Sequence, residues 1–147
     1  WDEATAGWFT GDTFGLSYRE FDTARGPWIV PTSTPVQFEP DALRASVQRL
    51  LAREPACMYL THYGRVTDVP RLGALFLALL DETVARVKAV TPGPARHATL
   101  VKLLADMYVA SLKAHGCIAE EQQMIDWMAL DIELNAQGIA IWLDRQD

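Results

Sequence analysis

Two residues in the first half of the chain have the type and the setting to bind a cation. Asp12 follows the apolar pair Trp8-Phe9 and the turn residues Thr10-Gly11. His62 lies fifty residues downstream, after Met58-Tyr59-Leu60-Thr61 and before Tyr63-Gly64. Each reads as a polar group delivered by a buried strand to the end of a sheet. Sheets of α/β proteins gather their ligand sites at strand ends of this kind. A carboxylate and a neutral imidazole suit zinc, iron or manganese, with zinc the default. Each residue also has a plainer account. Asp12 can satisfy the amides of its own turn, and His62 can be a hydrogen-bonded histidine at a strand end. Singly, the plainer account leads; the repeated placement is what favours two ligands of one metal centre.

Other candidates carry less. Tyr18, Arg19 and Tyr63 flank the two positions and are within reach of a substrate, but ordinary packing or surface placement explains them more simply. Asp131 and Asn135 interrupt an apolar stripe of Met124, Trp127, Met128, Leu134 and Trp142. Such residues line a pocket or satisfy a neighbouring backbone, and the second is the commoner case. His97 and His115 share a helical stripe at a separation of about 27 Å, too far to share an ion. Glu120-Glu121 sits where a helix begins and complements its dipole.

The elements that must position these groups follow from periodicity and from breakers. Residues 1–19 read as two strands around the Thr10-Gly11-Asp12 turn, with Phe14, Leu16 and Tyr18 alternating in the second. Trp28-Ile29-Val30 reads as a short strand stopped by Pro31, and residues 32–35 as irregular. Pro40 opens a helix with Leu43, Val47, Leu50 and Leu51 on one face, and Pro55 closes it. Residues 57–61 form the next strand. Beyond Gly64 the pattern predicts helix alone: one from Asp68 as N-cap to about residue 90, one over about 95–114, one over about 119–144 with Gly138 as its weak point. The division expected is therefore 1–64, strands with one helix, and 65–147, a helical C-terminal region.

The bulk properties bound the function. The 147 residues suffice for a real core. Thirteen basic against nineteen acidic residues leave a formal charge of −6, which argues against nucleic acid and anionic membrane as partners. No apolar run reaches the roughly eighteen residues of a transmembrane helix. Cys57 and Cys117 form no Cys-x-x-Cys pair, and two unpaired thiols fit a reducing cytoplasm. The chain opens on Trp1-Asp2-Glu3, close before a core strand, and so reads as a fragment.

Thr10-Gly11-Asp12-Thr13 together with Thr61-His62-Tyr63-Gly64 resembles the C-terminal half of the metallo-β-lactamase fold superfamily. The segment over 31–43 resembles the lead-in to the helix before the histidine strand, and residues 134–138 extend the likeness loosely. The resemblance implies an α/β fold, the C-terminal half of an αββα sandwich followed by long helices. It implies that Asp12 bridges two divalent metal ions and that His62 ligates the second. Hydrolysis of an ester, thioester or amide-like small molecule by a metal-bound hydroxide would follow. Thr10 and Thr61 would support the ligands by hydrogen bonds. The family's His-x-His-x-Asp-His motif is absent, so the remaining ligands are expected from a missing N-terminal half, and this chain alone is expected to be inactive. The alternative is a helical interaction module without catalysis. On either view, apolar surface or open strand edges left without cover predict a homo-oligomer.

Overall fold

The computed structural model describes residues 1–33, 35 and 38–146. The chain is mixed α/β, with a three-stranded sheet and five α-helices among the described residues. The strands are β1 (Gly7–Gly11), β2 (Cys57–Leu60) and β3 (Gly64–Val66), in the order β1-β2-β3. The helices are α1 (Pro40–Leu51), α2 (Val69–Val87), α3 (Arg96–His115), α4 (Glu121–Trp127) and α5 (Ala129–Asp144). A 3-10 turn spans Arg19–Phe21. None of the helices is long and apolar enough to cross a membrane, among the described residues.

Two compact units divide the chain. The first holds Trp1–Thr32 and Pro40–Leu80; the second holds Ser33–Glu39 and Asp81–Asp147. Contacts thus group the sheet with the first part of α2, so the unit runs past residue 64 to Leu80.

In the first unit, β1 and β2 run parallel, with Trp8 opposite Met58 and Phe9 opposite Tyr59. Such a pair needs a crossover, and α1 supplies it. Pro40 suits the first helical position because its missing N–H would be unbonded there anyway. Met58, Leu60 and Val47 are buried. So are Phe14 and Phe76, whose rings stack at 5.8 Å, and Phe21 and Trp28, which meet edge to face at 5.6 Å.

The expected second strand over Phe14 to Tyr18 does not form. That segment touches the Trp28 to Val30 stretch through one isolated bridge, Leu16 to Val30, and neither is a strand. Gly15 explains part of this. Its φ is +76°, a left-handed conformation that breaks a pleat, and a Cβ there would run into the Val30 carbonyl oxygen. The apolar alternation marked burial, since Phe14 and Leu16 are both buried, but among the described residues the pairing with Val30 stops at one bridge.

The stretch after Gly64 is not helix alone. β3 returns antiparallel along β2, with Leu60 opposite Gly64 and Met58 opposite Val66. Three residues are too few to show a period, which is why the strand was not legible.

In the second unit α3 packs on α5. Leu104, Leu112, Met124, Ile132 and Ile139 are buried there, and Phe38 meets Trp142 edge to face at 5.6 Å. The expected single helix over 119–144 is two helices. The break falls at Met128, whose backbone leaves the helical region (φ −100°, ψ 6°), and not at Gly138, which is buried within α5. Thr34, Val36 and Gln37, part of the 31–43 likeness, lie outside the described residues.

Candidate functional site

Asp12 and His62 come together. Asp12 follows the last residue of β1 and His62 lies two residues past β2, so the parallel pairing brings both to one end of the sheet. The His62 Nε2 atom is 3.6 Å from Asp12 Oδ1, and the two side chains are 60% and 50% exposed. Both backbones are held. The Asp12 carbonyl accepts the Gly15 amide at 2.9 Å and the Thr32 hydroxyl at 3.2 Å. The His62 carbonyl accepts the Ser17 amide at 3.3 Å. Gly11, at φ +55°, turns the chain out of β1 at this point.

Neither plain account describes the pair well. Among the described residues the Asp12 carboxylate accepts no amide of its own turn; the Gly15 bond goes to its backbone oxygen. His62 is no core histidine, being more than half exposed. The separation itself is informative. Two ligands of a tetrahedral zinc, each about 2.0–2.1 Å from the ion, lie about 3.3 Å apart. The 3.6 Å found here needs only a small adjustment to meet that figure. No group of three or more His, Cys, Asp or Glu that could hold a metal occurs among the described residues. The pair therefore offers two donors of the right chemistry and open solid angle for others.

Thr10 does not support Asp12. Its buried hydroxyl faces the carbonyls of Tyr59 and Gly11, each at 3.2 Å, and so ties β1 to β2. Thr61 is exposed.

Arg19 and Tyr63 form a cluster beside His62, and Asp22, which sequence reasoning passed over, completes it. The Arg19 guanidinium lies 3.8 Å over the Tyr63 ring and donates to the Tyr63 carbonyl at 3.3 Å. The Tyr63 hydroxyl donates to the Asp22 carboxylate, 2.8 and 2.9 Å from its two oxygens. Burial, and then that carboxylate, push the Tyr63 phenol up to about 12. Tyr63 is thus a neutral donor tied to the 3-10 turn, and it fixes the residue next to His62. The available signal was the i,i+3 spacing of Arg19 and Asp22, whose side chains approach to 3.6 Å. Tyr18 packs edge-on to Phe21 at 5.7 Å.

Asp131 and Asn135 belong to the other compact unit. Asn135 is buried and its amide is engaged on both sides: Oδ1 accepts the Ser33 amide at 2.8 Å and Nδ2 donates to the Tyr108 hydroxyl at 3.1 Å. The Ser33 hydroxyl donates to the Asn135 backbone carbonyl at 3.0 Å. Tyr108 is buried with it, and burial pushes its phenol far up. Asp131 is half-buried and adds a nearby negative charge that acts on Tyr108 in the same direction. In the same unit His97 Nε2 meets Glu133 Oε2 at 3.0 Å; the Gln137 amide, and then His97, hold the Glu133 carboxyl below its ordinary value.

Compared with protein-family models, with curated proteins and with solved structures, the chain shows no match.

Proposed function

We propose that this chain contributes Asp12 and His62 as two ligands of a metal-dependent hydrolytic centre, with the remaining donors coming from outside the described residues. The observation that carries the reading is the 3.6 Å approach of a carboxylate and an imidazole from the ends of two adjacent parallel strands. Their exposure leaves room for further ligands and for a substrate. A divalent cation held there would supply an acidified water and a Lewis acid for a polar bond in a small molecule. The chain's own part is to orient. Backbone bonds from Gly15, Ser17 and Thr32 fix the turns that carry both ligands. The Arg19–Tyr63–Asp22 cluster holds the residue after His62. The resemblance of the two turns to the metallo-β-lactamase superfamily supports the same reading, with two metal ions, zinc by default, in the intact protein.

Zinc titration of the chain, followed through the histidine ring protons by NMR, tests this. The His62 resonances should move first, while His97 and His115 stay behind. Asp12→Asn removes a ligand and should weaken the effect by at least about tenfold, the least that losing even a group behind a ligand costs. If zinc shifts His97 or His115 first, or if Asp12→Asn leaves the His62 response unchanged, the reading fails.

A second reading has its own support. Ile118 is 98% exposed, Leu130 is 68% exposed and Leu134 lies one turn on from Leu130 along α5. Large apolar side chains so placed suit self-association through the helical region.

A further inference from the structure

Ser17 meets His62 through the main chain, its amide donating to the His62 carbonyl at 3.3 Å. The residue is only 3% exposed, and its hydroxyl has no hydrogen-bond partner among the described residues. A buried hydroxyl left without a partner is costly, and most buried polar side chains have one. The other buried serine and threonines described, Thr10, Ser33 and Thr83, each have theirs. The orphan hydroxyl thus lies one main-chain hydrogen bond away from the candidate ligand.

The loop that carries Ser17 follows His62 closely. At its start the Asp12 carboxylate lies 3.6 Å from the ring nitrogen Nε2. At its end the Ser17 amide holds the His62 main chain. Between them the Gly15 amide donates to the Asp12 carbonyl, and Leu16 is bridged to Val30. Residues 12–17 therefore run past the histidine from ring tip to main chain.

The two ring nitrogens have separate needs. Nε2 faces Asp12 and is the one placed to share a cation with it. Nδ1 then carries the proton and needs an acceptor. A histidine ligand almost always gives its second N–H to such a partner, which fixes the tautomer and the ring orientation. No partner of Nδ1 occurs among the described residues. A serine hydroxyl suits the vacancy, because it both donates and accepts and rotates to do either. It can donate to a bare Nδ1 while the proton sits on Nε2. It can accept from Nδ1–H once Nε2 has given its proton up. The ring is 60% exposed and has room to turn.

We infer that Ser17 is the positioning residue of His62: its hydroxyl accepts the Nδ1–H and so keeps Nε2 bare for the cation. The inference rests on the reading of Asp12 and His62 as metal ligands.

Zinc is the probe, titrated into the full chain with isotope-labelled histidine. The ring-nitrogen shifts report which nitrogen carries the proton. At saturation His62 should hold its proton on Nδ1, with zinc on Nε2. Ser17→Ala should weaken zinc binding about tenfold or more, the cost of losing a partner behind a metal ligand. Its resistance to urea should stay the same or rise, since the change removes a buried hydroxyl that had no partner. Two results would overturn the inference: zinc held at His62 as tightly in Ser17→Ala as in the wild type, or zinc on Nδ1 in the wild type. Lost urea resistance with unchanged zinc affinity would make the hydroxyl purely structural and overturn it as well. Failure of the metal reading looks different. In that case wild-type His62 would not respond to zinc before the other histidines, or Asp12→Asn would change nothing, and the role of Ser17 would fall with it.

Discussion

Asp12 and His62 gain meaning only as a pair. An exposed aspartate after a glycine is unremarked on any surface, and so is an exposed histidine at a strand end. Their 3.6 Å approach across a sequence gap of fifty residues is the feature that a turn cap and a surface histidine do not share. Tyr63 beside them gives a sharper local test. Its phenol is raised by burial and by the Asp22 carboxylate that accepts its hydrogen bond. A raised value favours the neutral phenol in the folded state. The stabilisation is complete below the unfolded value near 10 and is lost as pH rises through about 12. Asp22→Asn should therefore lower the Tyr63 midpoint part of the way toward 10, read from the ring carbon bearing the hydroxyl in a pH series. A midpoint unmoved by that change would mean that burial acts alone and that Asp22 does not hold the ring.

At the scale of elements, the helices were legible and the strands much less so. α1 appears over Pro40–Leu51 as its proline start and one-sided leucines require, and α3 over Arg96–His115 follows its stripe closely. A helix needs only partners within itself, so its signal is local. The alternation over Phe14 to Tyr18 looked equally clear and gave no strand, because a strand needs a neighbour in register. Gly15 turns the backbone and, among the described residues, the pairing with Val30 stops after one residue pair. Asn135 shows the same dependence on partners within α5. Its place on an apolar stripe was plain, yet its role depends on Ser33, over a hundred residues away, and on Tyr108. Asn135→Ala would remove the acceptor of the Ser33 amide and the donor to the Tyr108 hydroxyl in a buried site. A loss of about 2–4 kcal/mol is expected in urea unfolding. A loss below about 0.5 kcal/mol, the size of a neutral surface change, would show that this network contributes little.

For the whole molecule, the exposed apolar side chains set what can meet its surface. Phe9 on the sheet and Ile118, Leu130 and Leu134 in the helical region are large, apolar and exposed. Self-association through the helices predicts a native mass above the 16.4 kDa of one chain at micromolar concentration. Leu130→Glu should return it to one chain, since a carboxylate placed on a buried contact carries a desolvation cost. A wild-type native mass of one chain throughout the range would rule this out. The surface charge acts in the other direction, since a net charge of −6 favours solubility and repels a second copy at long range. Contact burial has to exceed that repulsion, and salt should strengthen any dimer by screening it.

The sequence by itself determined α1, α2 and α3 in outline, the acidic balance and the two strand-end positions, because periodicity, composition and turn chemistry are written in neighbouring residues. Asp12 and His62 were legible as candidates for that reason. Only the tertiary structure decided that they meet, that Thr10 serves the β1–β2 junction instead of Asp12, and that Asp22 completes the cluster at Tyr63. It also decided that β3 pairs with β2 and that the last helix breaks at Met128. Each of these rests on a partner distant in sequence or on a short-range backbone choice among near-equal conformations, and neither leaves a periodic trace along the chain.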